Sequence, residues 1–215
     1  EVTSMRAATL LFTVDAAAAA ALLPGDAFEV VEVAPGAAQL VIALCDYVEN
    51  PWGDYAEVNV GFLARPVGAG DDVIGSFVYR MPVDQEFTCE AGNRVMGFPK
   101  TVEAIDVTDD ETHVTFALAF DGRPTLRVRL PRAEPVGEPE RVEADSYSYL
   151  DGVPHATALG MDMGTGLVDP AEVEIEVGEG PVADELRSLG LPGPPDVATW
   201  GEGLTATFKL GRSLA

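Results

Sequence analysis

Glu90-Ala91-Gly92-Asn93-Arg94-Val95-Met96-Gly97-Phe98-Pro99-Lys100 is the stretch on which the reading of this chain turns. Its last residue is one of only two lysines, Lys100 and Lys209, set against eleven arginines. Lys100 follows Met96-Gly97-Phe98-Pro99, an apolar run whose Gly and Pro shape the backbone. Desolvation penalises an ammonium held in apolar surroundings, so its pKa falls from about 10.4 toward neutrality. A neutral amine near pH 7 is a nucleophile toward ketones and aldehydes. The plainer alternative is a strand-end lysine whose stem snorkels along apolar surface.

Upstream of this segment, Arg6 to Val14 reads as a buried strand, and Asp15 as the N-cap of a helix from Ala16 to Leu23 that Pro24-Gly25 ends. Phe28 to Val33 and Ala38 to Tyr47 read as strands, followed by the turn Asn50 to Asp54. Tyr55 to Ala64 alternates in the period of two, and Asp72 to Val83 is its antiparallel partner across Gly68-Ala69-Gly70. Asp84 to Val95 breaks that rhythm and reads as a short helix, capped by Asp84 and stopped near Gly92. Lys100 then sits at the entry to a new strand.

Downstream, Glu103 to Asp109, Thr112 to Phe120 and Thr125 to Leu130 read as strands joined by hairpin turns. Pro131 to Glu143 is a long surface loop. Ser146 to Leu150, His155 to Asp162 and Val173 to Val177 follow as strands, then a helix from Val182 to Leu189 and a last strand from Thr205 to Leu210. About ten strands with no βαβ rhythm predict an α+β, mostly β chain with a largely antiparallel sheet, curled into a barrel or split in two. At 215 residues it is most simply one domain, 1–215.

The formal net charge of −23 speaks against nucleic acid and against anionic membranes as partners, because both need clustered Lys and Arg. No continuous apolar stretch reaches the roughly eighteen residues of a membrane span. No signal peptide is visible, and the cytoplasm is the expected location; the start at Glu1 without Met is compatible with a removed segment. Cys45 and Cys89 stand in unlike contexts, which predicts two buried thiols without a disulfide framework or a metal site. Asp151, Asp162 and Asp169 make no metal pattern, and the Gly-rich Gly160 to Gly166 lacks the strand-to-helix setting of a phosphate loop. No cofactor is expected.

Two segments together, Gly53-Asp54-Tyr55-Ala56-Glu57 and Ala91 to Lys100, resemble the acetoacetate decarboxylase superfamily. The family pattern is a Tyr-x-Glu after a Gly-containing turn, then a Gly-x-x-x-x-Gly/Ala-aromatic-Pro-Lys run two strands later. The resemblance covers most of the chain. It implies a cone-like β-barrel with an internal pocket, in agreement with the strand count, and homo-oligomeric assembly. It makes Lys100 the amine that forms a Schiff base, with Glu57 beside it as proton shuttle. It also makes Arg6, near the N-terminus, the candidate holder of a substrate carboxylate, with Tyr55, Met96 and Phe98 around the pocket.

The departures from the family pattern are specific. Thr101 stands where the decarboxylases carry a second lysine, and Gly92-Asn93-Arg94 replaces their Gly-Arg-Glu. Val41-Ile42-Ala43 is apolar where a second acidic residue is expected. A less polar pocket follows. The expected activity is that of a carbon-carbon lyase on a small oxo acid, with decarboxylation of a 3-oxo acid through an iminium on Lys100 as the first reading. Aldolase or dehydratase chemistry on a 2-oxo acid, and a barrel that only binds a small molecule, are the alternatives. Other conspicuous residues read as structural: His155 as a strand-start residue, His113 as an exposed hairpin residue, and Met161 and Met163 as core filling.

Overall fold

The computed structural model describes residues 2–215, with Thr3 described by its backbone alone. The chain runs through β1 (Val2–Asp15), α1 (Ala16–Leu22), β2 (Phe28–Val30), β3 (Glu32–Ala34), β4 (Ala37–Tyr47) and β5 (Tyr55–Pro66). It continues with β6 (Gly75–Val83), α2 (Glu86–Met96), β7 (Lys100–Val102), β8 (Ala104–Asp109), β9 (His113–Phe120) and β10 (Arg123–Pro131). Then come β11 (Glu140–Leu150), β12 (Val153–Met163), β13 (Thr165–Val168), a 3-10 turn at Pro170–Glu172 and β14 (Glu174–Val177). The chain ends with α3 (Pro181–Ser188), β15 (Val197–Phe208) and β16 (Arg212–Ser213). None of the helices is long and apolar enough to cross a membrane.

Seven strands close a barrel in the order β15-β1-β4-β5-β6-β11-β12, with β12 pairing back onto β15. Its neighbours are antiparallel except β6 and β11, which are parallel, and β7 adds to β6 in parallel as well. A second sheet, β14-β10-β9-β8, is antiparallel throughout. The mostly-β barrel expected from the strand count is what forms.

The period of two assigns the two faces of the barrel wall. Leu10, Ile42, Val58 and Phe62 pack in one apolar cluster with Phe116, Val128 and Leu130 of the second sheet. A four-stranded sheet does not fit inside a seven-stranded barrel, whose interior has room only for side chains or one small ligand. That face is therefore the outer one. The alternate residues face the lumen in cross-strand rows, Ala7 beside Cys45 beside Glu57, and Met5 beside Tyr47 beside Tyr55. A smaller cluster of Met5, Ala7, Cys45, Tyr47 and Leu204 fills that side.

Local chemistry explains most element ends. The Asp15 carboxylate accepts from Ala18 N at 2.8 Å and caps α1. Gly97 ends α2 with φ of 67°, the left-handed conformation that favours glycine. Two expectations about α2 are corrected. Asp84 does not cap it; its carboxylate accepts from Ala56 N at 2.8 Å and ties the helix entry to β5. The helix does not stop at Gly92 but runs through it to Met96. A Cβ at Gly92 would lie 2.8 Å from Cδ and Cε of Lys100, so this glycine marks a close approach and not a helix end.

Three more boundaries differ. Phe28 to Val33 is two strands on different partners, because β2 pairs with β5 and β3 with β4. The surface loop is confined to 132–139, since the acid-rich start of β11 pairs in register with β12. The last strand begins at Val197, eight residues earlier than expected, and its first half pairs with β1 despite Gly201 and Gly203.

Candidate active site in the barrel lumen

Lys100 opens β7 beside Met81 of β6, and Val83, two residues along, lies beside Glu57 of β5. The parallel crossover through α2 thus delivers the lysine to the wall that carries Glu57. Lys100 Nζ and Glu57 Oε2 are 2.6 Å apart, with side chains 9% and 5% exposed. The second glutamate oxygen, Oε1, accepts from the Tyr47 hydroxyl at 3.2 Å and from Asn59 Nδ2 at 3.1 Å. Both oxygens are therefore engaged, as a buried carboxyl requires.

Tyr47 and Tyr55 stack with centroids 4.3 Å apart and planes at 15°. The lysine nitrogen stands 5.6 Å from the Tyr55 ring centroid, a cation–π distance. Burial, then the charge of Glu57, pushes the hydroxyls of Tyr47 and Tyr55 and the thiol of Cys45 well above their ordinary range. These three groups stay protonated at neutral pH, which leaves the Tyr47 hydroxyl as a donor to Glu57.

The backbone of Lys100 is held by one side chain. Lys100 N donates to Asn93 Oδ1 at 2.9 Å, and Asn93 Nδ2 donates to Lys100 O at 3.0 Å. An amide matches both main-chain groups as a neighbouring strand would. Ser148 Oγ donates to Met96 O at 2.6 Å and anchors the end of α2 to β11. Sequence reading notes Asn93 only as a departure, reads Cys45 only as a buried thiol, and gives Tyr47, Cys45 and Asn59 no place in the site. The usable signal for those three is alternation: Asn59 shares the parity of Glu57, and Cys45 and Tyr47 lie opposite Glu57 and Tyr55 once the register is known.

The sequence candidates separate. Lys100, Glu57 and Tyr55 come together in the lumen. Met96 and Phe98 lie at the α2 terminus and the turn into β7. Phe98 lines a cavity of about 620 Å³ with Phe77, Tyr79, Asn93 and Tyr149, and Asn93 is the residue this cavity shares with the immediate surroundings of Lys100. That cavity lies next to the Lys100–Glu57 pair, not at it: neither residue lines it.

Arg6 is corrected. It lies opposite Asp46, on the outer face of β1, while its neighbours Met5 and Ala7 face the lumen. Its Nε meets Asp46 Oδ2 at 2.6 Å, and its Nη1 donates to Asp109 of the second sheet, a carboxylate also held by Arg132 at 2.5 Å. A one-residue change of parity moves a side chain to the other face of the wall. Among the described residues no group of three or more His, Cys, Asp or Glu side chains is placed to hold a metal ion.

No curated protein matches the chain. Solved structures do. The acetoacetate decarboxylase of Legionella pneumophila superposes with a TM-score of 0.70 at 15% identity, over 100% of this chain and 86% of that one. The enduracididine biosynthesis enzyme MppR, in complex with pyruvate, gives 0.67 at 18% identity, over 99% and 89%. An acetoacetate decarboxylase-like enzyme from Sphingomonas wittichii RW1 gives 0.62 at 16% identity, over 100% and 94%. At these identities the likeness is one of fold. The family model for acetoacetate decarboxylase matches residues 2–209, nearly the whole chain, and on that match the protein belongs to the acetoacetate decarboxylase family.

Proposed function

We propose that this protein is a Schiff-base-forming enzyme of carbonyl compounds, with Lys100 as the nucleophile and Glu57 as the proton shuttle. The observation that carries the reading is the 2.6 Å contact of Lys100 Nζ with Glu57 Oε2 inside a largely apolar lumen. The lysine nitrogen adds to a carbonyl carbon, and the carbinolamine loses water to give an iminium. Glu57 is within reach of the proton that must leave the amine and of the hydroxyl that must leave as water. The iminium is then an electron sink. It accepts the electron pair from a departing carboxylate, or acidifies the adjacent carbon so that an enamine forms.

The relatives support both outcomes. One is an acetoacetate decarboxylase, and MppR is also known in complex with the condensation product of pyruvate and imidazole 4-carboxaldehyde. Asn93 supports the reading through position, since it fixes the main chain at the point from which the lysine stem leaves. Catalysis needs that point fixed because small misplacements of a reacting group are costly.

Borohydride reduction in the presence of acetoacetate, and separately of pyruvate, followed by peptide mass analysis, tests the proposal. A reduced adduct on Lys100 is expected from a carbonyl substrate, and Lys100→Arg removes it. An unmodified Lys100 with every carbonyl compound offered, on folded protein, overturns it.

A further inference from the structure

We infer that the lumen is built for a neutral carbonyl compound, an uncharged aliphatic ketone or aldehyde, and not for an oxo acid. The inference rests on the Schiff-base reading above and narrows its substrate. A bound carboxylate in a dry lumen requires a cation or several donors. Lys100 supplies one positive charge, as ammonium or as iminium, and Glu57 at 2.6 Å already offsets it. Arg6, the candidate that the family pattern offers, is on the outer face with both ends of its guanidinium engaged by Asp46 and Asp109.

Every other arginine but Arg123 has a carboxylate partner, and Arg123 opens β10 of the second sheet. Arg80 lies against Glu185 of α3, and Arg141 against Asp162 on the face opposite Met161. Arg65 has the parity of Glu57 but sits eight residues further along β5, about 26 Å away in an extended strand, bound to Glu29 and Asp71. The apolar cluster on the lumen side of the wall includes Met5, Tyr47 and Leu204, with Met161 and Phe208 packed against it. Among the described residues, none of this wall carries a second positive charge.

One polar atom points the same way. Asn59 Oδ1 is buried and has no hydrogen-bond partner in the protein. Its orientation follows from Nδ2, which donates to Glu57. A free acceptor beside Glu57 repels a carboxylate, whose oxygens only accept. It suits the hydroxyl of the carbinolamine that any carbonyl group forms with Lys100.

The step that follows needs no further reagent. Water leaves as the C=N bond forms. A hydrogen on the adjacent carbon then passes as a proton to the Glu57 carboxylate, the C–H electron pair forms a C=C bond and the C=N π pair withdraws onto the lysine nitrogen, giving an enamine. Return of the proton and addition of water restore ketone and lysine, or the enamine carbon bonds to a second carbonyl compound. No atom changes its oxidation state by an outside agent.

The test uses two ketones of nearly equal shape, 5-methyl-2-hexanone and 4-oxopentanoate, at equal concentration, with borohydride trapping and α-hydrogen exchange in heavy water as readouts. At least tenfold more Lys100 adduct and faster exchange are expected from the neutral ketone. Equal or greater trapping of 4-oxopentanoate overturns the inference while leaving the Schiff-base reading in place. No adduct from either ketone, nor from acetoacetate or pyruvate, overturns that reading and this inference together. Lys100→Arg serves as the blank in each arm.

Discussion

The two faces of one wall, in β1, β4 and β5, are built to opposite rules. The outer face carries Leu10, Ile42, Val58 and Phe62 against the second sheet, with essentially no accessible surface. Its residues are exchangeable in kind, because an apolar core asks for volume and patterning before identity. The lumen face carries Cys45, Glu57, Asn59 and Tyr55 on the same strands, and there each polar group has a definite partner or a definite vacancy of hydrogen bonding. One residue of parity separates a side chain packed in the apolar core from one that meets Glu57 in the lumen. Arg6 and Ala7 show the rule at its smallest scale.

Breaking each face separately sharpens the contrast. Phe62→Ala should have the largest effect on the fold, about 3–5 kcal/mol from lost burial and a cavity. Chemical denaturation measures it, and trapping per folded molecule should stay unchanged. Glu57→Gln should do the reverse. The adduct on Lys100 should form about 100-fold more slowly or worse, as loss of a proton-transfer group entails, while the denaturation midpoint shifts far less. If Glu57→Gln trapped substrate at the native rate, the lumen would lose its claim to the chemistry.

A subtler break is Gly92→Ala. Alanine favours a helix over glycine by about 1 kcal/mol, yet the new Cβ would meet the Lys100 stem at 2.8 Å. Trapping about tenfold slower at undiminished melting temperature is expected, a combination that a merely structural glycine would not produce. Arg6→Gln should cost about 1 kcal/mol or less, as partly exposed ion pairs do. It should alter trapping less than about twofold, because the side chain is outside the lumen; a specific loss of oxo-acid trapping would show otherwise.

The smallest effect is acid-dependent. Backbone N–H groups of Thr112 and His113 hold the exposed Asp110 carboxyl at about 2, below its ordinary value of 3.8. A depressed folded pKa means stability that is present above 3.8 and lost as pH falls toward 2. Asp110→Asn should therefore flatten the acid limb of the stability curve and leave neutral pH nearly unchanged, read by thermal melts from pH 2 to 7.

Legibility in the sequence followed the range of the interactions. Short-range signals were reliable: Asp15 as a cap, Gly97-Phe98-Pro99 as the turn into β7, and period-two alternation in β4 and β5. Signals that depend on a partner strand were not. Glu140 to Glu143 reads as the end of a surface loop until β12 supplies its ladder, and Val197 to Leu204 stands outside the expected last strand until β1 lies beside it. Gly92 was misread as a stop because the reason for it, the lysine stem eight residues later, is visible only in three dimensions.

By itself the chain's order of residues determined the class of the molecule, the family and the two residues, Lys100 and Glu57, that the structure brings together. Alternation, turn chemistry and the run ending in Lys100 are local properties, and they survive without knowledge of the fold. The tertiary structure alone decided which residues share a space. Strand register sets parity, and parity sent Arg6 outward, brought Tyr47 and Asn59 onto Glu57, and set Lys100 beside β6 within reach of Glu57. Register is fixed by the sum of many cross-strand contacts at long sequence separation, so no single segment carries it.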